Sequence, residues 1–122
     1  MGNTNMDLLL SFQAFFLINL VSEFIIFHHY ILQVWSNDVL MKSIQTHNGS
    51  ILSICMEGKW LFTGGWDKTV SVQELMVNEF HVDAIPIGSI SCGSVITALF
   101  YWQGKLFVGY ADRTVKVYYY GK

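Results

Sequence analysis

From residue 38 onward the chain is a succession of short runs in which apolar and polar positions alternate, each run closed by turn-forming residues. In residues 38–47, Val39, Met41, Ser43 and Gln45 interleave with Leu40, Lys42, Ile44 and Thr46, the period of a half-buried strand. Asn48-Gly49 follows as a strong turn signal. Residues 51–56 read as an inner strand, Glu57-Gly58-Lys59 as a turn, 60–63 as a second strand and 69–73 as a third. After a less regular connection over 74–82 the series begins again. An outer strand is expected over 83–90, where Pro86 is compatible with an edge position. Inner, second and third strands follow over 95–101, 106–109 and 114–119.

The two series are copies of one text. Leu61, Phe62, Gly64, Asp67, Thr69, Val70 and Val72 return as Leu106, Phe107, Gly109, Asp112, Thr114, Val115 and Val117, all at an offset of 45 residues. A fixed period of about 40–45 residues with four short strands per unit is the sequence sign of a β-propeller array. The words Gly64 to Val72 and Gly109 to Val117, each Gly-x-x-Asp-x-Thr-Val-x-Val, resemble the second strand, turn and third strand of a WD40 repeat, and Tyr118 holds the aromatic position that follows. Val34-Trp35-Ser36 is similar to the end of such a repeat. The resemblance covers residues 33–122. It implies an all-β fold: a partial β-propeller of two four-stranded blades, with 33–37 the tail of a preceding blade, 38–82 a first repeat and 83–122 a second. The wording also resembles the C-terminal propeller of plant proteins that carry a RING-type ubiquitin-ligase module, a module this chain does not show.

Residues 8–32 are a different material. Sixteen of the 25 are Leu, Ile, Phe or Val, and Glu23 is the only formal charge. On an insertion scale these side chains contribute roughly −5 to −10 kcal/mol, against about +3 for one central acid. No Pro or Gly interrupts the stretch, so a helix is expected, and its length suits a membrane span. Three readings stay open: a membrane anchor, a hydrophobic helix packed on the edge of the propeller fragment, or a lead unrelated to the fold. A cleavable signal peptide is disfavoured, since Asp7 stands where positive charge is needed and no small-residue cleavage site ends the run. N-myristoylation is excluded by Met6 at the motif's Ser/Thr position.

Composition narrows the function. Hydrophobic residues make up 52% and charged residues 13% of the 122, against about 25% charged in ordinary domains. Two blades fall short of the four to eight of a closed propeller. The chain is therefore expected to oligomerise or to be part of a larger propeller. A net charge of −2 with scattered Lys and Arg gives no electrostatic case for nucleic acid. Cys55 and Cys92 lack CxxC spacing and are read as reduced thiols. Asn48-Gly49-Ser50 is an N-glycosylation sequon, read as an unmodified turn. Cytoplasm or nucleus is the favoured compartment, with membrane association through 8–32 the alternative.

No catalytic constellation is visible: there is no Gly-x-Ser-x-Gly, no phosphate-binding loop, no His-Glu-x-x-His. No enzyme activity, metal or cofactor is expected. His28-His29 are adjacent, so one helix face could not offer both to a metal. The WD40 resemblance implies a structural set in which a His before the inner strand, a hydroxyl on the second strand, the turn Asp and a Trp on the third strand hold the blade together. His47, Thr63 and Asp67 fill three places, and Gln73 replaces the Trp. In the second copy only Asp112 remains. Gly64 and Gly109 are read as turn glycines. Trp66, Tyr110 and Trp102, at strand ends and turns, are the candidates for binding a protein partner, because aromatics dominate interface hot spots. The expected function is a protein-interaction scaffold, with substrate recognition in a ubiquitin-ligase-like protein as its finer form and a membrane-anchored small protein as the alternative.

Overall fold

The computed structural model describes residues 14–19, 23–77 and 81–119, the side chains from Ile25 onward. Eleven antiparallel strands are described: β1 (Ala14–Asn19), β2 (Glu23–His28), β3 (Ile31–Ser36), β4 (Val39–Gln45), β5 (Ile51–Glu57), β6 (Trp60–Gly65), β7 (Thr69–Val77), β8 (Val82–Ser91), β9 (Ile96–Trp102), β10 (Lys105–Tyr110) and β11 (Val115–Tyr119). They form three meander sheets in chain order: β1-β2-β3-β4, β5-β6-β7-β8 and β9-β10-β11. No helix occurs among the described residues.

Two expectations change. Residues 8–32 are expected to be helical. Residues 8–13 and 20–22 lie outside the described residues. Over 14–19 and 23–32 the chain is strand and turn, with Phe24 paired to Trp35, Ile25 to Val34 and Phe27 to Leu32. β-Branched and aromatic residues fit a pleated, half-buried surface, and here β3 supplies the partner that a reading of the segment alone could not see. Ile25 and Ile26 are both buried, so this part of β2 is covered on both faces, a pattern that periodicity cannot separate from a helix.

The second change concerns which sheet takes the outer strands. β4 pairs with β3 rather than with the strands that follow it. The reason is the two-residue link Asn37-Asp38, whose φ values of 50° and 65° are those of a type I′ hairpin turn and force the flanking strands together. Likewise β8 pairs with β7 over nine residue pairs. Each outer strand thus completes the sheet before it. The described chain has two four-stranded sheets and a third of three strands, rather than two of four.

The sheets pack face to face through two cores. Ile25, Phe27, Leu32 and Val34 of the first sheet meet Ile51, Leu61, Leu75 and Val82 of the second. On the other side Cys55, Phe62 and Val70 meet Ile96, Leu99, Leu106 and Val108 of the third. Phe62 stacks on Tyr101 with ring centroids 5.4 Å apart. Ser53 Oγ accepts a hydrogen bond from the Leu99 amide at 3.0 Å, joining the second and third sheets. The alternation of β6, Leu61 to one core and Phe62 to the other, places one strand in both.

Candidate functional site

The turn between β6 and β7 is built around one carboxylate. Asp67 accepts from the Asn48 amide at 3.0 Å, from the Thr69 amide at 3.2 Å and from the Thr69 hydroxyl at 2.9 Å. His47 Nδ1 lies 3.0 Å from both carboxylate oxygens. His47 Nε2 lies 2.7 Å from Thr63 Oγ1. With Nδ1–H donating to Asp67, Nε2 accepts from the Thr63 hydroxyl. His47 and Thr63 are buried, so these bonds satisfy polar groups that water does not reach.

The network joins two strands, β6 through Thr63 and β7 through Thr69, with two loops, the one before β5 that holds His47 and Asn48 and the turn that holds Asp67. Burial works against the Asp67 charge, but the Asn48 amide, the Thr69 hydroxyl and His47 outweigh it and hold the carboxyl below its ordinary pKa. Lys68 next to it has φ 65°, the left-handed conformation that closes the turn. His47, Thr63 and Asp67, singled out in the sequence, are brought together here. Thr69 and the Asn48 amide also belong to the set. Thr69 was legible as half of the Asx turn, since Asp and Thr two apart commonly share such bonds.

The equivalent turn of the third sheet is simpler. Asp112 accepts from the Thr114 amide at 3.0 Å and from its hydroxyl at 2.6 Å, and Arg113 repeats the Lys68 conformation with φ 72°. Both Asp112 and Thr114 are exposed. In place of the histidine set, Tyr118 Oη lies 3.1 Å from Tyr110 Oη and 3.7 Å from Cys92 Sγ. Burial, then these hydroxyl and thiol neighbours, push the Tyr110 phenol well above its usual range. Tyr118 and Gln73 occupy the same place in their sheets. Gln73 is buried and its Oε1 has no hydrogen-bond partner among the described residues.

Gly64 and Gly109 lie within β6 and β10, ahead of the turns. A Cβ on Gly64 would come 2.7 Å from Ile96 Cγ2 of the third sheet, and one on Gly65 would come 2.0 Å from the Ser50 carbonyl oxygen. The pair is there for close approach. Among the described residues the left-handed glycines are Gly58 and Gly104, in the other hairpins.

The aromatic candidates separate by exposure. Trp66, next to Asp67, is 60% exposed and Trp102 is 55% exposed. Tyr110 is half-buried in its phenol–thiol cluster. Cys55 is buried, and burial together with the charge of Glu57 pushes its thiol up to about 12. Both cysteines are free. Among the described residues no group of His, Cys, Asp or Glu is arranged to hold a metal ion.

With this geometry in place, residues 38–72 match the family model described as WD domain, G-beta repeat. The match runs from β4 into β7 and takes in the whole His47–Thr63–Asp67–Thr69 set. Repeat domains of this family generally act as protein–protein interaction scaffolds and are typically non-catalytic. Among solved structures, the chain is similar to one described as the crystal structure of the computationally designed Ika4 protein, at 17% identity and a TM-score of 0.46, over 82% of this chain and 86% of that one. No curated protein matches the chain.

Proposed function

We propose that the chain is a protein-binding scaffold made of WD40-type blades, and that it does no chemistry of its own. The observation that carries this reading is the His47–Thr63–Asp67–Thr69 network, buried at His47 and Thr63. It spends the polar chemistry of the region on fixing a turn whose neighbour, Trp66, stands 60% exposed. A rigid turn presenting a large aromatic costs little entropy on binding and makes a strong anchor. Trp102 and half-buried Tyr110 would extend the docking surface. In this reading 38–82 and 83–122 are sequence repeats whose first strands are handed to the preceding blade. The exposed third sheet then belongs to a larger propeller or an oligomer.

Recognition of a ubiquitin-ligase substrate is the finer form of the same reading, supported by the wording of residues 33–122. For the membrane alternative, no helix among the described residues is long and apolar enough to cross a bilayer.

The test is quantitative capture of partners by the full chain against W66A, W102A and the double variant, with each variant's fold checked by circular dichroism. A partner lost at least about tenfold on removing Trp66, as expected of a hot-spot aromatic, supports the scaffold. Identical partner profiles for all four proteins would remove it.

A further inference from the structure

Asn48-Gly49 lies in the loop that joins β4 to β5. Of the six asparagines in the chain, Asn48 is the one that precedes a glycine. The loop is held on both sides of this pair. The Asn48 amide donates to Asp67 Oδ2 at 3.0 Å, and the Ser50 carbonyl accepts from the Trp66 amide at 2.9 Å. Between these anchors two groups are left unheld. Asn48 is exposed, and among the described residues neither its carboxamide nor the Gly49 amide makes a hydrogen bond.

Gly49 also lies against the turn that the loop grips. A Cβ there would come 3.1 Å from Trp66 Cβ and 3.3 Å from the Asp67 amide nitrogen. Packing therefore favours glycine at this position, and a residue without Cβ leaves its amide nitrogen least shielded. Asparagine is itself among the thermolabile residues. A bond from the Gly49 nitrogen to Asn48 Cγ closes a five-membered ring, the size that forms with least strain.

We infer that Asn48 is a site of spontaneous modification in the folded protein, where the Gly49 nitrogen displaces ammonia from the Asn48 side chain and re-routes the main chain beside Trp66. The Gly49 nitrogen bonds to Asn48 Cγ as the Cγ–Nδ2 bond breaks, and Nδ2 leaves as ammonia with the proton that the Gly49 nitrogen gives up. The cyclic imide then takes up water at one of its two carbonyls. Opening at the new bond leaves an ordinary aspartate. Opening at the old peptide bond leaves isoaspartate, in which the main chain runs through Cβ and Cγ and the former carbonyl carbon ends as a free carboxylate. The stretch between the Asn48 and Ser50 anchors is then longer by one carbon. A new negative charge also stands beside Asp67 and repels its carboxylate. Both effects loosen the grip on the Trp66–Asp67 turn.

The test ages the full chain and a synthetic peptide of residues 44–53 side by side in mildly alkaline, ammonia-free buffer. Mass spectrometry follows the exchange of amide for acid at residue 48, and electron-transfer fragmentation separates isoaspartate from aspartate. The full chain is expected to convert within about tenfold of the peptide's rate, because a site that is already open needs no local unfolding before it reacts. Asn48→Gln keeps the main-chain amide that bonds Asp67 and should stay unmodified, since its longer side chain would have to close a larger ring; its fold is checked by circular dichroism. In the aged full chain the Trp66 amide should exchange with solvent about tenfold faster than in aged Asn48→Gln, as an amide does when its bond opens locally. Conversion of the full chain slower than that range overturns the site, by showing that the fold shields it. Unchanged Trp66 exchange in isoaspartate-bearing chains overturns its effect on the turn. Neither readout uses a partner, so this inference and the scaffold reading fail separately.

Discussion

Asp67 decides the local stability of the second sheet. Replacing it with Asn leaves the Asn48 and Thr69 amides and His47 with weaker acceptors or none. The expected loss is about 1–3 kcal/mol, the cost of leaving buried partners unpaired, read as a shift in the urea midpoint. The same variant changes the pH profile. The Asp67 carboxyl is held below its ordinary pKa. Its ionised form therefore contributes stability that is fully present above the unfolded-state value of about 4 and is lost as pH falls through the folded value. Asp67→Asn should flatten that acid limb; a profile parallel to the parent below about pH 4 would show that the carboxylate is not coupled to folding. Gln73 makes the opposite case. Its buried Oε1 lacks a partner, so Gln73→Met, close in volume, should raise stability by about 1 kcal/mol, and an unchanged or lower thermal midpoint would count against the unpaired carbonyl.

At the scale of the element, the hairpins are set by a few backbone positions. Lys68 and Arg113 both sit in the left-handed region after the turn aspartate. Lys68→Gly should hold or raise stability, whereas Lys68→Val should lower it by about 1 kcal/mol or more, because a β-branched residue resists that conformation. Equal melting of the two variants would show that the turn is not held as described. Gly64→Ala tests a different force, the closeness of β6 to Ile96 across the second core, and should destabilise without altering the turn.

These elements also show what a reader of the sequence could see. The Asp67 and Asp112 hairpins were legible because Gly-x-x-Asp-x-Thr compresses a strand end and an Asx turn into adjacent letters. β2 was not, because Ile25, Ile26 and Phe27 are buried in succession, and a strand covered on both faces loses its alternation and reads as a continuous apolar run. The assignment of β4 turned on Asn37-Asp38, two residues whose left-handed geometry ties it backwards. Cys92, Tyr110 and Tyr118 meet from residues far apart in the chain, and no spacing rule points to them.

At the scale of the molecule, the dominant fact is that no described residue covers the outer face of the third sheet. Phe100, Trp102, Val115, Val117 and Tyr119 are all exposed on the third sheet. Apolar surface of this kind drives association. Light scattering on the full chain should show concentration-dependent oligomers, reduced by Val117→Lys together with Phe100→Lys; a sharp monomer at all concentrations would contradict this.

The backward hand-over of β8 has a consequence for how the polypeptide can be divided. A cut between Val77 and Val82 would leave the N-terminal piece lacking the last strand of its second sheet, while the C-terminal piece would hold that strand with nothing of its own to lay it on. The two halves are thus complementary across the break, and mixing them should restore the parent, as a clasp closes only when both ends are present.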